Sequence, residues 1–308
     1  MIEVEQLRKQ YGDLTAVEDV SFHVRSGEIF GLLGPNGAGK TTTIGCISSL
    51  FPPTSGHVRV NGHDVVQNGL AARRSLGVVP QDVALYEDLS AKENLAYWGG
   101  AQGLRGAKLH ERIGAVLELT GLSDRAKEPI KRFSGGMKRR LNFACGIVHQ
   151  PKVLLLDEPT VGVDPQSRVR LMELVREQVR AGTCVLYTTH YMEEAESLCD
   201  RLGIIDHGRI IAQGTLQELR AMVGERDLLR LTGIFEPEAV RVSLSRMDGV
   251  EVMHADTALL SLSVSDASHR LPAIFAALDS HGEVRGTTLT QPSLESLFIK
   301  LTGKELRE

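Results

Sequence analysis

Residues 34–41 read Gly-Pro-Asn-Gly-Ala-Gly-Lys-Thr and directly follow the apolar segment 29–33. The three glycines let the backbone turn sharply, so that its N–H groups can point at phosphate oxygens. Lys40 supplies a positive charge for the β- and γ-phosphates, and the Thr41 hydroxyl is placed to hold Mg²⁺. Residues 40–50 are predicted to form a helix whose N-terminus faces the anion. A strand, this loop and a helix in succession predict a nucleoside triphosphate site; a chance glycine turn is the alternative.

A second apolar segment, 153–156, is followed by two carboxylates, Asp157 and Glu158. An acidic residue at the end of a buried strand beside a phosphate loop can coordinate Mg²⁺, directly or through water. Asp157 is predicted to have that role, and Glu158 is predicted to polarise an attacking water. A solvated acidic turn also commonly follows a strand, but the loop at 34–41 favours the functional interpretation.

Three further segments carry residues that suit a phosphate site. Ser134-Gly135-Gly136 precedes the basic run 138–140 and offers N–H groups at a helix start. Alone this signal is weak, because Ser-Gly-Gly loops are common and a basic run is usually a solvated helix face. His190 and Gln81 each follow an apolar strand segment and are predicted to lie at the same sheet edge as Asp157. There His190 can contact a γ-phosphate, although a lone histidine is more often structural.

The composition is that of an ordinary globular chain long enough for two domains, with 308 residues, 42% hydrophobic and 24% charged. The net charge of −4 gives no support for nucleic-acid binding. The four cysteines lack metal-ligand spacing and are expected to be buried, reduced thiols. No stretch approaches the ~18 apolar residues of a membrane span, and the N-terminus lacks a signal-peptide pattern. We therefore expect a soluble protein made in the cytoplasm, and any membrane role would need a separate partner chain.

Local patterns predict the elements that carry these residues. Residues 1–8 and 18–25 alternate as strands do, and Asn61-Gly62 predicts a hairpin turn. Helical spacing predicts helices at 105–120 and 165–181, each followed by a glycine. Strands and helices alternate along the first two thirds of the chain, which predicts an α/β core with a largely parallel sheet.

The composition shifts at 224–226, and beyond it strands and helices follow the order β-α-β-β-α-β, which is the ferredoxin-like pattern. A last helix is predicted at 293–302. The predicted domains are 1–224, with a helical subdomain at about 85–150, and a small accessory α+β domain at 225–308.

In this order the motifs resemble those of ATP-binding cassette (ABC) ATPases, over residues 1–220. The resemblance implies a P-loop NTPase cassette: a mixed, mostly parallel core sheet, an antiparallel β subdomain and a helical subdomain. Residues 133–137 resemble the signature Leu-Ser-Gly-Gly-Gln, with Phe133 and Met137 as departures. Together with 160–165, Thr-Val-Gly-Val-Asp-Pro, this form resembles the branch that serves ABC-2-type exporters of drugs, antibiotics, sodium, lipids or polysaccharides.

The resemblance implies a role for each site residue. Glu158 corresponds to the catalytic base, His190 to the switch histidine, and Gln81 to the glutamine that senses Mg²⁺ and links to the membrane partner. Thr41, Gln81 and Asp157 are implied to hold Mg²⁺. Tyr11 is implied to stack on the adenine of ATP. The other residues implied to bind ATP are Gly34, Pro35, Asn36, Gly37, Ala38, Gly39, Lys40, Thr41, Thr42, Ser134, Gly135, Gly136 and Asp164.

The family works as a dimer with two ATP molecules between its subunits, so Ser134-Gly135-Gly136 of one chain is implied to close on the ATP of the other. The implied partners are a second nucleotide-binding subunit, with a homodimer favoured and a heterodimer left open, and a separate transmembrane permease; no nucleic acid is expected. The segment 82–100, with Tyr86, Tyr97 and Trp98, is the candidate docking surface for the permease, or else part of the helical subdomain's own core. The expected location is the cytoplasmic face of a bacterial or archaeal cell membrane.

Two other classes of function remain as alternatives. The first is a soluble ABC ATPase that acts on DNA or on ribosomes. Members that act on DNA carry a long coiled coil, and none of that length is visible here. Members that act on ribosomes usually carry two cassettes, whereas this chain has one set of motifs. A regulatory nucleotide-binding module without turnover is disfavoured because Glu158 and His190 are both present. The leading interpretation is the ATP-hydrolysing subunit of an exporter, whose cargo the sequence does not identify.

Overall fold

The computed structural model describes residues 1–223, 226–290 and 294–302. The strands are β1 Ile2–Tyr11, β2 Leu14–Val24, β3 Ile29–Leu33, β4 Ser55–Val60, β5 His63–Asp64, β6 Leu76–Val79, β7 Val153–Asp157, β8 Cys184–Thr189, β9 Arg201–Asp206, β10 Arg209–Gly214, β11 Arg226–Phe235, β12 Val250–Ala255, β13 Leu259–Ser265 and β14 Gly282–Thr290. The helices are α1 Lys40–Ile47, α2 Gly69–Arg74, α3 Ala91–Ala101, α4 Gly106–Leu119, α5 Gly135–Ile147, α6 Pro165–Arg180, α7 Met192–Leu198, α8 Leu216–Val223, α9 Pro237–Leu244, α10 Ala267–Leu278 and α11 Leu294–Thr302.

The first ten strands form one sheet in the order β5-β4-β1-β2-β10-β9-β3-β8-β7-β6. The pairs from β9 through β3, β8 and β7 to β6 are all parallel. Every residue of β3, β7 and β8 is buried, as expected for strands covered on both faces. The predicted parallel α/β core is therefore confirmed.

Strands β1, β2, β4 and β5 are joined by antiparallel pairs, and β9 and β10 form a further antiparallel pair in the same sheet. At the turn from β4 to β5, Asn61 has φ 50° and Gly62 has φ 81°. Two successive positive φ values are those of a type I′ hairpin turn, so the turn predicted from Asn61-Gly62 is confirmed. Strands β1 and β2 extend beyond the predicted ranges, because register shifts interrupt their alternation and hide their full length in the sequence pattern.

Two apolar clusters cover the two faces of the sheet. One joins β1, β2 and β4 to α1, with Ile2, Phe30 and Ile47 among its fully buried members. The other packs the helical region against the parallel strands through Leu95, Leu141 and other side chains of α3 to α6. Helices α3 to α6 pack on this same face, and α5 is hydrogen-bonded to the loop that follows β6 and contains Gln81.

From Leu216 onwards the chain forms a second compact unit, separate from the unit 1–215. Its sheet has the order β12-β13-β11-β14, with every pair antiparallel. Helices α9 and α10 connect the strands in the predicted ferredoxin-like order, which is confirmed. The predicted boundary at 224–225 lies outside the described residues, as do Ser293 and residues 303–308 of the predicted accessory domain. No described helix combines the length and apolar composition that a bilayer crossing requires.

Candidate functional site

Four neighbouring parallel strands end at one edge of the large sheet. In the order β3, β8, β7 and β6 they deliver the loop at 34–39, His190, the pair Asp157 and Glu158, and Gln81. The register places Leu33 opposite Thr189, Asp157 opposite Thr188 and Val79 opposite Leu156, so these segments leave the sheet side by side. The sequence-predicted residues of the phosphate site are thus collected at a single sheet edge.

The phosphate loop contains the residues Gly34, Pro35, Asn36, Gly37, Ala38 and Gly39, and Lys40, Thr41 and Thr42 form the first turn of α1. Gly39 has φ 105°, a left-handed conformation that favours glycine. At Gly34 a Cβ atom would lie 2.2 Å from the Ile205 carbonyl oxygen, so no side chain fits. The amide nitrogens of this loop precede a helix N-terminus, which gives an anion-binding geometry.

Lys40 is 4% exposed, and its ammonium group makes three contacts. Nζ donates to the carbonyl oxygens of Gly34 at 2.6 Å and Pro35 at 2.9 Å, and it pairs with Glu158 Oε1 at 2.9 Å. The other carboxylate oxygen of Glu158, Oε2, lies 2.9 Å from His190 Nδ1. Lys40, Glu158 and His190 therefore form one buried polar chain that spans three adjacent strand ends.

Glu158 has φ 43°, which is unusual for a residue with a side chain. Its amide nitrogen donates to the carbonyl oxygen of Thr188 at 3.2 Å and to the Thr188 hydroxyl at 3.1 Å. These two bonds hold the backbone turn that directs the Glu158 side chain towards Lys40 and His190.

Asp157 is buried beside Glu158 and accepts a hydrogen bond from the Thr188 hydroxyl at 2.7 Å. Burial raises the pKa of the Asp157 carboxyl, while hydrogen bonds from the Thr188 and Thr41 hydroxyls act in the opposite direction. Asp157 and Thr41 thus present neighbouring oxygen atoms. Across the described residues no three His, Cys, Asp or Glu side chains gather as a metal site. A hydroxyl and one carboxylate fit Mg²⁺, which takes few protein ligands and completes its shell with phosphates and water.

Gln81 lies at the surface, and the loop that contains it is tied to α5. The amide side chain of Asn142 accepts from the Ala84 amide nitrogen at 3.1 Å and donates to the Pro80 carbonyl oxygen at 3.3 Å. Arg139 donates to the Gln81 carbonyl oxygen and, at 3.0 Å, to the Val161 carbonyl oxygen. Helix α5 thus holds both ends and the middle of the loop at 80–84.

Ser134 caps α5, and its hydroxyl accepts from the Met137 amide nitrogen at 3.3 Å. Ser134 and Gly135 are exposed, whereas Gly136 is buried against α6. A Cβ atom at Gly136 would lie 2.3 Å from the Ser167 hydroxyl oxygen. Asp164 caps α6 by accepting from the Ser167 amide nitrogen at 2.9 Å, and this bond lowers the pKa of its carboxyl. The structure does not add Ser134, Gly135 or Asp164 to the buried chain of Lys40, Glu158 and His190.

Tyr11 lies at the end of β1 with its ring about half exposed. Phe51 meets the ring edge-on with centroids 5.8 Å apart, and Lys9 Nζ lies 5.0 Å from the ring centre. The exposed aromatic ring is available for stacking on a flat base, with Phe51 fixing its orientation.

Comparison with known proteins yields two family matches. The profile described as ABC transporter matches residues 17–161, and that described as the ATP-binding protein DrrA1-3-like C-terminal domain matches residues 214–302. The linearmycin resistance ATP-binding protein LnrL of Bacillus subtilis (strain 168) is 43% identical, over 100% of both chains. The chain belongs to the ABC transporter family. It is an ABC-type ATPase.

Other relatives of this ABC ATPase are also named as ATP-binding proteins. The daunorubicin/doxorubicin resistance ATP-binding protein DrrA of Streptomyces peucetius is 41% identical, over 98% of this chain and 92% of that protein. The Nod factor export ATP-binding protein I of Ralstonia nicotianae (strain ATCC BAA-1114 / GMI1000) is 39% identical, over 100% and 95%. A solved ATP-binding subunit of an ABC transporter superposes with a TM-score of 0.67 at 35% identity, over 73% of this chain and 93% of that one. A bacterial ABC transporter cassette solved as a dimer superposes with a TM-score of 0.64 at 25% identity, over 70% and 99%.

The two departures from the family signature have a structural explanation. Phe133 is buried and Met137 partly buried, and both pack in the apolar cluster of the helical region. In this ABC ATPase the two positions add apolar contacts beside the signature, while Ser134 and the two glycines keep the start of α5.

Sequence reasoning missed three residues that hold the site together: Arg139, Asn142 and Glu194. A basic run such as 138–140 is usually a solvated helix face, yet Arg139 is partly buried, and its desolvation lowers the pKa of the guanidinium. Glu194 follows His190 in an acidic stretch, yet it is buried. A usable signal existed for Glu194, because it lies one turn before Leu198 on the buried face of α7.

Proposed function

We propose that this chain binds and hydrolyses ATP with Mg²⁺ to power an ABC-2-type exporter, as a nucleotide-sandwich dimer docked on a separate permease. The observation that carries the proposal is the meeting of the phosphate loop, Asp157, Glu158, His190 and Gln81 at four adjacent strand ends. The names of the relatives refer to antibiotic resistance and to Nod factor export, which supports export rather than uptake. The proposed location is the cytoplasmic face of a bacterial cell membrane.

The proposed chemistry divides among residues of the described site. The loop amides and Lys40 bind the β- and γ-phosphates, and Tyr11 stacks on the adenine. Thr41 and Asp157, with Gln81, hold Mg²⁺, which would neutralise charge on the phosphates. Glu158 accepts a proton from the attacking water, and His190, 2.9 Å from Glu158 Oε2, orients that carboxylate and contacts the γ-phosphate.

The proposed dimer completes each site with residues of the second chain. Ser134 and Gly135 lie exposed at the start of α5, where their amide groups can meet an anion from outside the chain. Asp164 and Gly136 meet behind them and join this helix start to α6. ATP favours the closed dimer through contacts that the open one lacks, and hydrolysis weakens those contacts. The dimeric form of a solved cassette supports the arrangement.

The proposed permease-docking surface is the exposed side of the segment 82–100. Tyr86 is 45% exposed and Tyr97 50% exposed, and their rings meet edge-on with centroids 4.8 Å apart. Beside them a cavity of about 300 Å³ is lined by residues that include Val78, Pro80 and Trp98. The opposite side of α3 belongs to the helical region's own core through Leu95. The segment therefore contributes to the core of the helical region, and its exposed aromatic pair supports the docking proposal.

Affinity purification of the tagged chain from a mild-detergent lysate of its host, with mass spectrometry, tests this function. We expect a polytopic membrane protein of about six helices to be recovered with the wild type and lost with Tyr86→Ser/Tyr97→Ser, because the variant lacks the exposed aromatic pair. A variant of a distant exposed apolar residue, Val169→Ser on α6, is the matched control and should retain the partner. Recovery of ribosomal or DNA-repair proteins alone would favour the soluble class of ABC ATPases instead.

For the accessory domain we propose a role in holding the dimer together or in regulating it. We expect a chain that ends after Thr215 to dimerise at least about tenfold more weakly, equivalent to ~1.4 kcal/mol, or to hydrolyse ATP at an altered rate. Sedimentation of the ATP-bound dimer and steady-state ATPase assays measure the two effects. If dimerisation and rate are both unchanged, neither role is correct.

A further inference from the structure

Glu194 is 2% exposed, so its charge is almost completely removed from water. The carboxylate accepts hydrogen bonds from three hydroxyl groups: Thr160 at 2.6 Å, Tyr187 at 2.9 Å and Thr189 at 3.0 Å. Arg168 Nε lies 3.4 Å from the same carboxylate and compensates its charge. An ionised carboxylate only accepts hydrogen bonds, so three hydroxyl donors and a cation match it.

Two of the three donors to Glu194 lie within two residues of the proposed catalytic pair in sequence. Thr160 lies two residues after Glu158, and Thr189 directly precedes His190. The Thr189 hydroxyl also accepts from the Tyr191 amide nitrogen at 2.9 Å and so holds both flanks of His190.

Arg168 extends this contact to α6. The Arg168 guanidinium lies over the Tyr191 ring, 4.8 Å from the ring centre. Arg168 itself belongs to the first turns of α6, the helix that Asp164 caps. One buried carboxylate thus connects the loop after the base, the loop that contains the histidine, and the helix that follows Asp164.

We propose that Glu194 is a positioning residue for ATP hydrolysis: it sets the relative placement of Glu158 and His190 through the hydroxyl groups of Thr160 and Thr189. The inference rests on the proposed roles of Glu158 and His190. Glu194 touches neither side chain and acts through the backbone of the two loops. The pair meets at 2.9 Å, and small displacements of reacting groups carry large rate penalties.

The test compares Glu194→Gln, Thr160→Val and Thr160→Ser with the wild type in steady-state ATPase assays and ATP titrations. Glu194→Gln replaces one acceptor oxygen by an NH₂ group, so at least one hydroxyl donor loses its acceptor. We expect kcat to fall by about 10- to 100-fold with ATP affinity unchanged, because the phosphate loop is untouched. Thr160→Val should lower kcat in the same way, and Thr160→Ser, which keeps the hydroxyl, should restore it.

Tyr187→Phe is the matched control, because it removes a hydrogen bond to the same carboxylate from a residue within β8 that adjoins neither loop. Thermal denaturation should show both Thr160→Val and Tyr187→Phe to be destabilised, while only Thr160→Val loses kcat. Equal rate losses in the two variants, or a wild-type kcat in Glu194→Gln, would overturn the positioning role. Normal hydrolysis by Glu158→Gln would instead disprove the proposed base itself, so the two failures are distinguishable.

Discussion

Glu158→Gln is expected to abolish steady-state ATP hydrolysis while ATP binding is retained. The substitution removes the proposed proton acceptor but keeps the shape of the side chain, and general base catalysis typically contributes about 10²- to 10⁴-fold. The amide can still contact Lys40 and His190, which lie at 2.9 Å from the two carboxylate oxygens. Since the loop amides are unchanged, the phosphates keep their binding site, and the ATP-bound dimer should accumulate.

Phosphate release under saturating Mg²⁺ and ATP, together with ATP titration, measures this effect. The matched control is Glu193→Gln, an exposed carboxylate in the first turn of α7 close to His190 in sequence. Its turnover should equal that of the wild type. Hydrolysis by Glu158→Gln at the normal rate would reject Glu158 as the base and leave the phosphate-loop proposal standing.

Lys40→Ala is expected to weaken ATP binding by at least about 100-fold, equivalent to ~2.8 kcal/mol. Two charge-assisted contacts to the β- and γ-phosphates, at about 1.5 kcal/mol or more each, account for a loss of this size. All three ammonium hydrogens have acceptors in the structure, at Gly34, Pro35 and Glu158. In the proposed site, phosphate binding would exchange these contacts for phosphate oxygens and would also release Glu158 from its ion pair with Lys40.

Titration with a fluorescent ATP analogue measures the loss, and Lys131→Ala is its control. Lys131 pairs with Asp88 at 3.3 Å on the exposed surface, so the control removes an equal charge away from the phosphate loop. Thermal denaturation checks that Lys40→Ala folds, because it leaves Glu158 with His190 as its remaining partner. An unchanged ATP titration would contradict the phosphate-loop interpretation.

The grouping of the site residues at one sheet edge could be predicted, because each of them follows an apolar strand segment in the sequence. The carboxyl ends of parallel strands share one edge, so Asp157, His190 and Gln81 had to leave the sheet near one another. The left-handed φ of Glu158 could not be predicted, since it depends on hydrogen bonds that its amide nitrogen donates to Thr188, 30 residues away. The same limit applies to the pairing of Lys40 with Glu158, because strand order had to be known first.

Buried polar residues were the main failure of sequence reasoning, and the cause is physical. Arg139 and Glu194 carry charges that in most sequences lie in water, and their burial depends on acceptors or donors from distant segments. Arg139 donates to the carbonyl oxygens of Gln81 and Val161. Glu194 accepts from the hydroxyl groups of Thr160, Tyr187 and Thr189. Strand lengths were a smaller failure, since bulges in β1 and β2 disturb the alternation that marks a strand.

The bonds from α5 to the loop at 80–84 have a mechanical consequence. Arg139 and Asn142 bond to this loop from neighbouring turns of one helix, so a movement of the loop relative to the helix would break these bonds. The start of α5 lies seven residues before Asn142, which is roughly 10 Å along the helix axis. In the proposed dimer, Gln81 serves the chain's own ATP while Ser134 faces the ATP of its partner. In that dimer, helix α5 would connect the residue that contacts one ATP to the residues that contact the other, so a displacement of the loop at 80–84 would be passed on to both sites.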